Sequence, residues 1–350
     1  MNNSDRDYSK PRKTLSFDDV LLVPKYSDIK SRKEVDISNH LDSKLKFDLP
    51  IISSPMDTVT ESTMAIAMQN AGGLGIIHRY NTIEEQSYEI YKSVSTYAGP
   101  VGAAIGMTGD YFERAQAARQ AGAEVLCVDV AHGHHLMMER CLKSLKDLFA
   151  DEVHIMAGNV ATLEAFDALA SWGADSIRVG IGGGSICSTR LVSGHGVPTF
   201  QSILDCSHTS YNTKIIADGG IKTSGDIVKA YAAGADFVMV GSLLSGTKET
   251  PGEVFDNTDG KKYKVYRGMA SSAAQNDWRA KSSTPEGVST TVSYKGKVQN
   301  ILDDLRGGIK SGFSYSGARN IVEFQNKCEF AQQTNAGQVE SSTHIMRRRK

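Results

Sequence analysis

The sequence predicts a (β/α)8, or TIM, barrel folded as a single domain, and three observations carry that prediction. From residue 50 onward eight short apolar runs recur along the chain. Each is continuous rather than alternating, the pattern of strands buried on both faces. Amphipathic stretches separate them at roughly 25-residue intervals, the rhythm of strand–helix units wound around a parallel sheet. An open doubly wound sheet is the alternative. It wants a G-x-G-x-x-G turn after its first strand, and Pro50–Thr58 has none.

In chain order the expected strands are Pro50–Ser54, Leu74–His78, Val101–Ile105, Val125–Asp129, His154–Ala157, Ser176–Gly180, Lys214–Asp218 and Phe237–Gly241. Helices are expected over Glu61–Ala71, Asp110–Ala121, His135–Phe149, Leu163–Trp172 and Ser224–Ala233. Residues 1–13 are polar and charged and read as a flexible lead-in, with the barrel over 14–335 and a tail over 336–350. That tail ends in the basic run Arg347-Arg348-Arg349-Lys350, read as a solvated terminus.

Composition narrows the function class. The chain has 350 residues, 40% of them hydrophobic and 23% charged, ample for a large core. With 39 basic and 40 acidic residues the net charge is −1, which argues against nucleic-acid and membrane-surface partners. No apolar stretch approaches the roughly 18 residues of a membrane span, and the N-terminus lacks a secretory apolar region, so a cytoplasmic location is expected. Five cysteines, at 127, 141, 187, 206 and 328, form neither a metal-ligand spacing nor an even disulfide set.

In such barrels chemistry sits where strands end. The expected ends carry Met56-Asp57, His78, Asp129, Asn159, Cys187, Asp218-Gly219-Gly220 and Gly241-Ser242. Asp57 and Asn159 can equally serve by bonding loop backbone. Glycine turns after strands seven and eight occupy the usual barrel phosphate site, so a phosphorylated ligand is expected there. Val179–Arg190 reads V-G-I-G-G-G-S-I-C-S-T-R, a glycine-rich turn followed by Cys187 among hydroxyls. Glycines let backbone N–H groups approach an anion closely, and a cysteine on such a loop can act as a nucleophile.

These residues resemble the IMP dehydrogenase/GMP reductase family from Leu15 to about His344. The matching segments include L-S-F-D-D-V-L-L-V-P (15–24), S-S-P-M-D-T-V-T-E (53–61), V-D-V-A-H-G-H (128–134) and A-G-N-V-A-T (157–162). G-I-G-G-G-S-I-C-S-T-R (180–190), I-A-D-G-G-I (216–221), G-A-D-F-V-M-V-G-S-L-L (234–244) and Y-R-G-M-A-S (266–271) complete the set. The resemblance implies a nucleophile at Cys187 that adds to purine C2, with Thr189 and Glu286 of the T-P-E-G segment moving protons. It implies a 5′-phosphate cradle of Ser185, Gly220, Gly241, Ser242 and Tyr266, with Asp218 accepting from the ribose hydroxyls. Gly268, Met269 and Ala270 lie where the family contacts the base, and Asp129 and His78 are implied on the dinucleotide side. It further implies a homotetramer and a potassium site. In that site Glu340, Ser341 and Ser342 of one subunit join the loop at Gly182, Gly184 and Cys187 of another.

The chain departs from the family pattern in ways that bear on reaction direction. Ser93–Gly99 runs straight through the point where many IMP dehydrogenases insert paired CBS modules. The flap, about 270–293, holds no adjacent Arg-Tyr pair, which dehydrogenases use to activate water, and D-W-R-A resembles the E-Y-R-A of GMP reductases. Arg279 is therefore the expected guanine contact. These features point to NADPH-dependent reduction of GMP to IMP. Others, namely G-G-L-G-I-I-H (72–78), the histidine of V-D-V-A-H-G-H, and A-G-Q-V-E-S-S-T-H (336–344), resemble the dehydrogenase branch, which oxidises IMP to XMP with NAD. A catalytically idle purine-nucleotide binder is the alternative of a different class, and intact Cys187, Thr189 and Glu286 argue against it. Gly183 replaces the proline of the family's usual G-I-G-P-G-S loop, and a looser loop is expected from it.

Overall fold

Period-two alternation within the apolar runs sorts their side chains into two cores, and this sorting closes the barrel. Ile52, Leu74, Ile76, Ala104, Val125, Cys127, Met156, Ile216, Phe237 and Met239 form one buried cluster in the barrel lumen. Their neighbours, among them Ile51, Ile77, Ala103, Leu126, Ile155, Ile177 and Val238, point outward into a second cluster shared with the helices. The structure, a computed structural model, describes residues 11–256, 260–279 and 284–341.

Eight parallel strands form the closed barrel in sequence order: Ile51–Ser53, Leu74–Ile77, Gly102–Ile105, Val125–Asp129, His154–Val160, Ser176–Val179, Lys214–Asp218 and Phe237–Val240. Pairing of Val238 with Ile51 closes strand eight onto strand one. All eight expected strands are present. The fifth runs three residues further than expected, so Asn159 lies within it.

The helices are α1 (Ser62–Asn70), α2 (Ile83–Thr96), α3 (Tyr111–Gln120), α4 (Leu136–Phe149), α5 (Leu163–Ser171) and α6 (Thr189–Ser193). There follow α7 (Thr199–Cys206), α8 (Ser224–Ala232), α9 (Ser272–Arg279), α10 (Val298–Tyr315), α11 (Ile321–Lys327) and α12 (Asn335–Glu340). Their sequences show why they form. Thr82 with Glu85, and Thr223 with Asp226, make reciprocal capping boxes at the starts of α2 and α8. On α4, Met138, Cys141, Leu142, Leu145 and Phe149 repeat at helical spacing and all are buried.

The barrel floor is plugged by a hairpin, Asn39–His40 against Lys46–Phe47, whose Leu41, Leu45 and Phe47 enter the lumen cluster. Phe47 meets Phe237 edge-on at 5.7 Å. Ahead of the barrel, Val20–Leu22 pairs antiparallel with Phe330–Gln332, so the two flanks of the chain share one small sheet. Lys262–Arg267 and Ser289–Ser293 also pair antiparallel outside the barrel, forming the base from which the flap rises.

The described parts of the two ends pack onto the barrel. Arg12 and Lys13, assigned to the lead-in, reach Asp205 at 2.8 Å and Gln332 at 3.0 Å. The tail begins as α12, capped by Thr334, because the Thr334 hydroxyl accepts from Gly337 N–H at 3.3 Å. The basic run at 347–350 lies outside the described residues.

Candidate active site

Chain geometry at the ends of the barrel strands brings most of the expected site residues onto one cavity. It has a volume of about 370 Å³, within the range of small-molecule sites. Cys187, Thr189, Glu286, Ser185, Asp218, Gly220, Gly241, Ser242, Tyr266, Gly268, Met269, Ala270 and Asp129 all line it, as do Gly182 and Gly184.

Glycine makes the loop after strand six possible. Gly180 has φ +146°, and a Cβ there would stand 1.9 Å from the Asp218 carbonyl oxygen. At Gly183, a Cβ would lie 2.4 Å from the Thr199 hydroxyl. A side chain at this position would therefore press on the start of α7. Arg190 braces the loop from the other side, its Nη2 donating to the carbonyls of Val197 at 2.7 Å and Ile181 at 3.3 Å.

Cys187 is exposed at the cavity wall, and its thiol donates to the Thr189 hydroxyl at 3.2 Å. Glu286 arrives from 99 residues further along the chain through a short antiparallel bridge. Ser188 N–H donates to the Glu286 carbonyl at 2.9 Å, and Val288 N–H donates to that of Ile186 at 3.0 Å. Thiol, hydroxyl and carboxylate residue therefore share one wall although T-P-E-G lies in the flap.

Opposite them lies a buried charge cluster. Arg178, on strand six, donates to Asp218 Oδ2 from Nε at 3.1 Å and from Nη2 at 2.8 Å, and its Nη1 engages Asp129. Asn159 Nδ2 adds bonds to Asp218 Oδ2 and the Gly180 carbonyl, both at 2.8 Å. Burial alone would lower the Arg178 pKa; Asp218 and then Asp129 more than offset this and raise it well above its ordinary value. Asp218 Oδ1 has no partner among the described residues, so one carboxylate oxygen stays available on the cavity wall. Burial also raises the pKa of Tyr266, whose hydroxyl is hydrogen bonded with Ser185 in the cavity wall.

Some expected residues stand elsewhere. His78 does not line the cavity. Its ring is buried, Nε2 lies 3.2 Å from Glu61 Oε1, and Nδ1 accepts from Tyr80 N–H at 3.2 Å. It thus stands behind the turn, whose next two residues, Arg79 and Tyr80, line the cavity. Arg279 is the last residue of α9; its backbone alone is described. Glu340 ends α12, and the hydroxyl of Ser341 engages Gln333 Oε1 at 3.1 Å and the Gly337 carbonyl at 2.9 Å. Ser342 lies outside the described residues. Among the described residues no three His, Cys, Asp or Glu side chains gather as a metal site.

Reasoning from sequence missed Arg178, Arg79 and Tyr80. Arg178 carried a signal, since a charge inside the apolar run S-I-R-V is costly unless paired.

The model of the IMP dehydrogenase / GMP reductase domain matches residues 14–344. Inosine-5′-monophosphate dehydrogenase of Nitrosopumilus maritimus (strain SCM1) is 35% identical, with 94% of this chain and 98% of the relative aligned. The enzyme of the same name from Aquifex aeolicus (strain VF5) is 33% identical, covering 96% of each. Among solved structures, a cysteine-to-alanine variant of GMP reductase from Trypanosoma brucei, in complex with guanosine 5′-monophosphate, superposes with a TM-score of 0.91. It is 32% identical, and the match covers 98% of this chain and 99% of that one.

Proposed function

The chain belongs to the IMP dehydrogenase / GMP reductase family, and on that premise we propose that it is a GMP reductase. The observation that carries the direction is the flap. Between Met269 and Tyr294 no Arg-Tyr pair is present to activate water, while Thr189 and Glu286 stand with Cys187 on one wall.

In this reading the 5′-phosphate of GMP sits at Ser185, Gly220, Gly241, Ser242 and Tyr266, the ribose at Asp218, and the base against Gly268, Met269 and Ala270. Arg279 contacts the guanine. The Cys187 thiolate forms a bond to purine C2. Thr189 and Glu286 pass a proton to the C2 amine, which leaves as ammonia with the electrons of its C–N bond. Arg79, Tyr80 and Asp129 would hold NADPH, whose chemistry when bound would be to supply the hydride taken up at C2. The C–S bond breaks, the thiolate is restored, and IMP departs.

A soluble cytoplasmic homotetramer completes the proposal. Its interface would bring Glu340, Ser341 and Ser342 of one subunit to the Gly182, Gly184 and Cys187 loop of the next as a potassium site.

A second reading, oxidation of IMP to XMP with NAD, is favoured by the names of the relatives. Following reduced-nicotinamide absorbance in potassium buffer separates the two. GMP with NADPH should lose signal as ammonia appears. A sustained rise with IMP and NAD would assign the dehydrogenase instead, and a single-turnover burst there would mean that only hydrolysis is missing.

A further inference from the structure

The reaction proposed above needs Glu286 held beside Cys187, and the flap carries an anchor suited to that task. Helix α9 ends near Trp278, whose indole stacks on the Tyr80 ring with centroids 5.7 Å apart and planes inclined by 14°. The Arg114 guanidinium sits 5.8 Å from the same indole. Both partners belong to the barrel. Tyr80 follows strand two and lines the cavity. Arg114, on α3, is buried and fixed by Asp110 Oδ2 at 2.7 Å, the Asn81 carbonyl at 2.9 Å and Gln86 Oε1 at 3.2 Å. Next to the indole on the same helix, Asp277 is tied to Arg267 at 2.5 Å, and Arg267 in turn to Asp57 at 2.6 Å.

A path leads from this anchor to the chemistry. Gln275 Nε2 donates to the Ala270 carbonyl at 3.0 Å, and the backbone N–H of Glu286 donates to that same carbonyl at 3.1 Å. Asp57 N–H meets Met269 Sδ at 3.3 Å. The seat of α9 therefore sets Met269, Ala270 and Glu286 together.

We propose that Trp278 is a positioning residue: stacked on Tyr80 beside Arg114, it seats α9 on the barrel rim and thereby aligns Glu286 with Cys187. The proposal rests on the reading of Glu286 as proton carrier. Ring stacking and cation–π contact are directional, so they fix a helix in position as well as holding it down. Misplacing a catalytic group by about 1 Å can cost about 10²-fold in rate.

Two measurements test it, and the first needs no turnover. The chain has two tryptophans, so Trp172→Phe leaves Trp278 as the lone indole. Its acrylamide quenching constant should lie several-fold below that of free tryptophan and rise at least about twofold when Tyr80→Ala removes the stacking face. An indole quenched like free tryptophan in both proteins would overturn the stack. In the second, Trp278→Ala should lower kcat by about tenfold or more. The Kd for GMP should stay within about threefold and the Tm should stay unchanged, with Trp278→Phe recovering most of the rate. Unchanged kcat, or a loss shared by Kd and Tm, would overturn the positioning role. Kinetics are read in whichever direction the enzyme runs, so a dehydrogenase outcome defeats the reductase reading and leaves this one standing or falling separately.

Discussion

The two ends of the barrel are made by the same eight strands and treat polar atoms in opposite ways. At the floor every polar group of one cluster is matched. His154 is fully enclosed, its Nδ1 2.8 Å from Asp42 Oδ2 and its Nε2 2.8 Å from the Ser176 hydroxyl. Asp42 Oδ1 accepts in addition from the backbone of Lys44 at 2.7 Å and Leu45 at 2.8 Å. Around the rim, buried Asp57 Oδ1, Arg79 Nε and Thr199 Oγ1 have no hydrogen-bond partner among the described residues. A buried polar atom without a partner costs about 1–3 kcal/mol; the rim gathers these three, while at the floor Gln69 Oε1, beside the Gly99 and Pro100 carbonyls, carries the same cost. The comparison teaches which end is built to hold the fold and which to receive a ligand.

Substitutions at the two ends sharpen that contrast. The largest effect should come from the rim: Cys187→Ala is expected to lower turnover by about 10⁴-fold or more. It should leave Tm and nucleotide binding in place, as calorimetry and equilibrium titration would show. Retained turnover would remove the covalent step. Next, Glu286→Gln should slow turnover by about 10²–10⁴-fold while GMP affinity changes little. A loss of affinity at unchanged turnover would contradict its proton-carrying role.

Smaller effects belong to the floor and should invert the pattern. His154→Ala strands Asp42 and Ser176, and should cost about 1–3 kcal/mol in denaturant unfolding with kcat preserved. A fall in kcat without a fall in stability would break the division between the two ends. The smallest effect is a pH dependence. Burial raises the Asp42 pKa, but the His154 hydrogen bond and the Lys44 and Leu45 amides outweigh it and lower it from 3.8 to about 2. A depressed carboxylate stabilises the fold above its unfolded value. That contribution should therefore be complete above about pH 4 and fade as pH falls toward about 2. Asp42→Asn should flatten the acid limb of a stability–pH curve, and an unaltered limb would show that the pair does not govern it.

The barrel was legible because its strands announce themselves locally: most are largely apolar runs such as Val125–Asp129 or Phe237–Val240, and each begins within a residue of its expected position. The loop that carries Cys187 was legible through its glycines. What escaped depends on contacts between distant residues. Asp42 and His154 lie 112 positions apart, and no local pattern joins them. Which residue after strand two faces the cavity was not legible either: the His78 side chain points back toward Glu61 while Arg79 and Tyr80 line the cavity. The flap helix was missed because Ser272–Arg279 has little apolar surface of its own and is held by partners from α3 and strand two.

The arrangement at Asp218 has a consequence for which nucleotide pool the protein draws on. Asn159 and Arg178 occupy one carboxylate oxygen and leave Oδ1 as a lone acceptor in the wall. A site built to receive a hydroxyl rejects an analogue that lacks it, because the acceptor is then buried without a partner. In the proposed pose, with the ribose at Asp218, a deoxyribonucleotide should therefore be turned over far more slowly than its ribo counterpart, and DNA precursors would be spared.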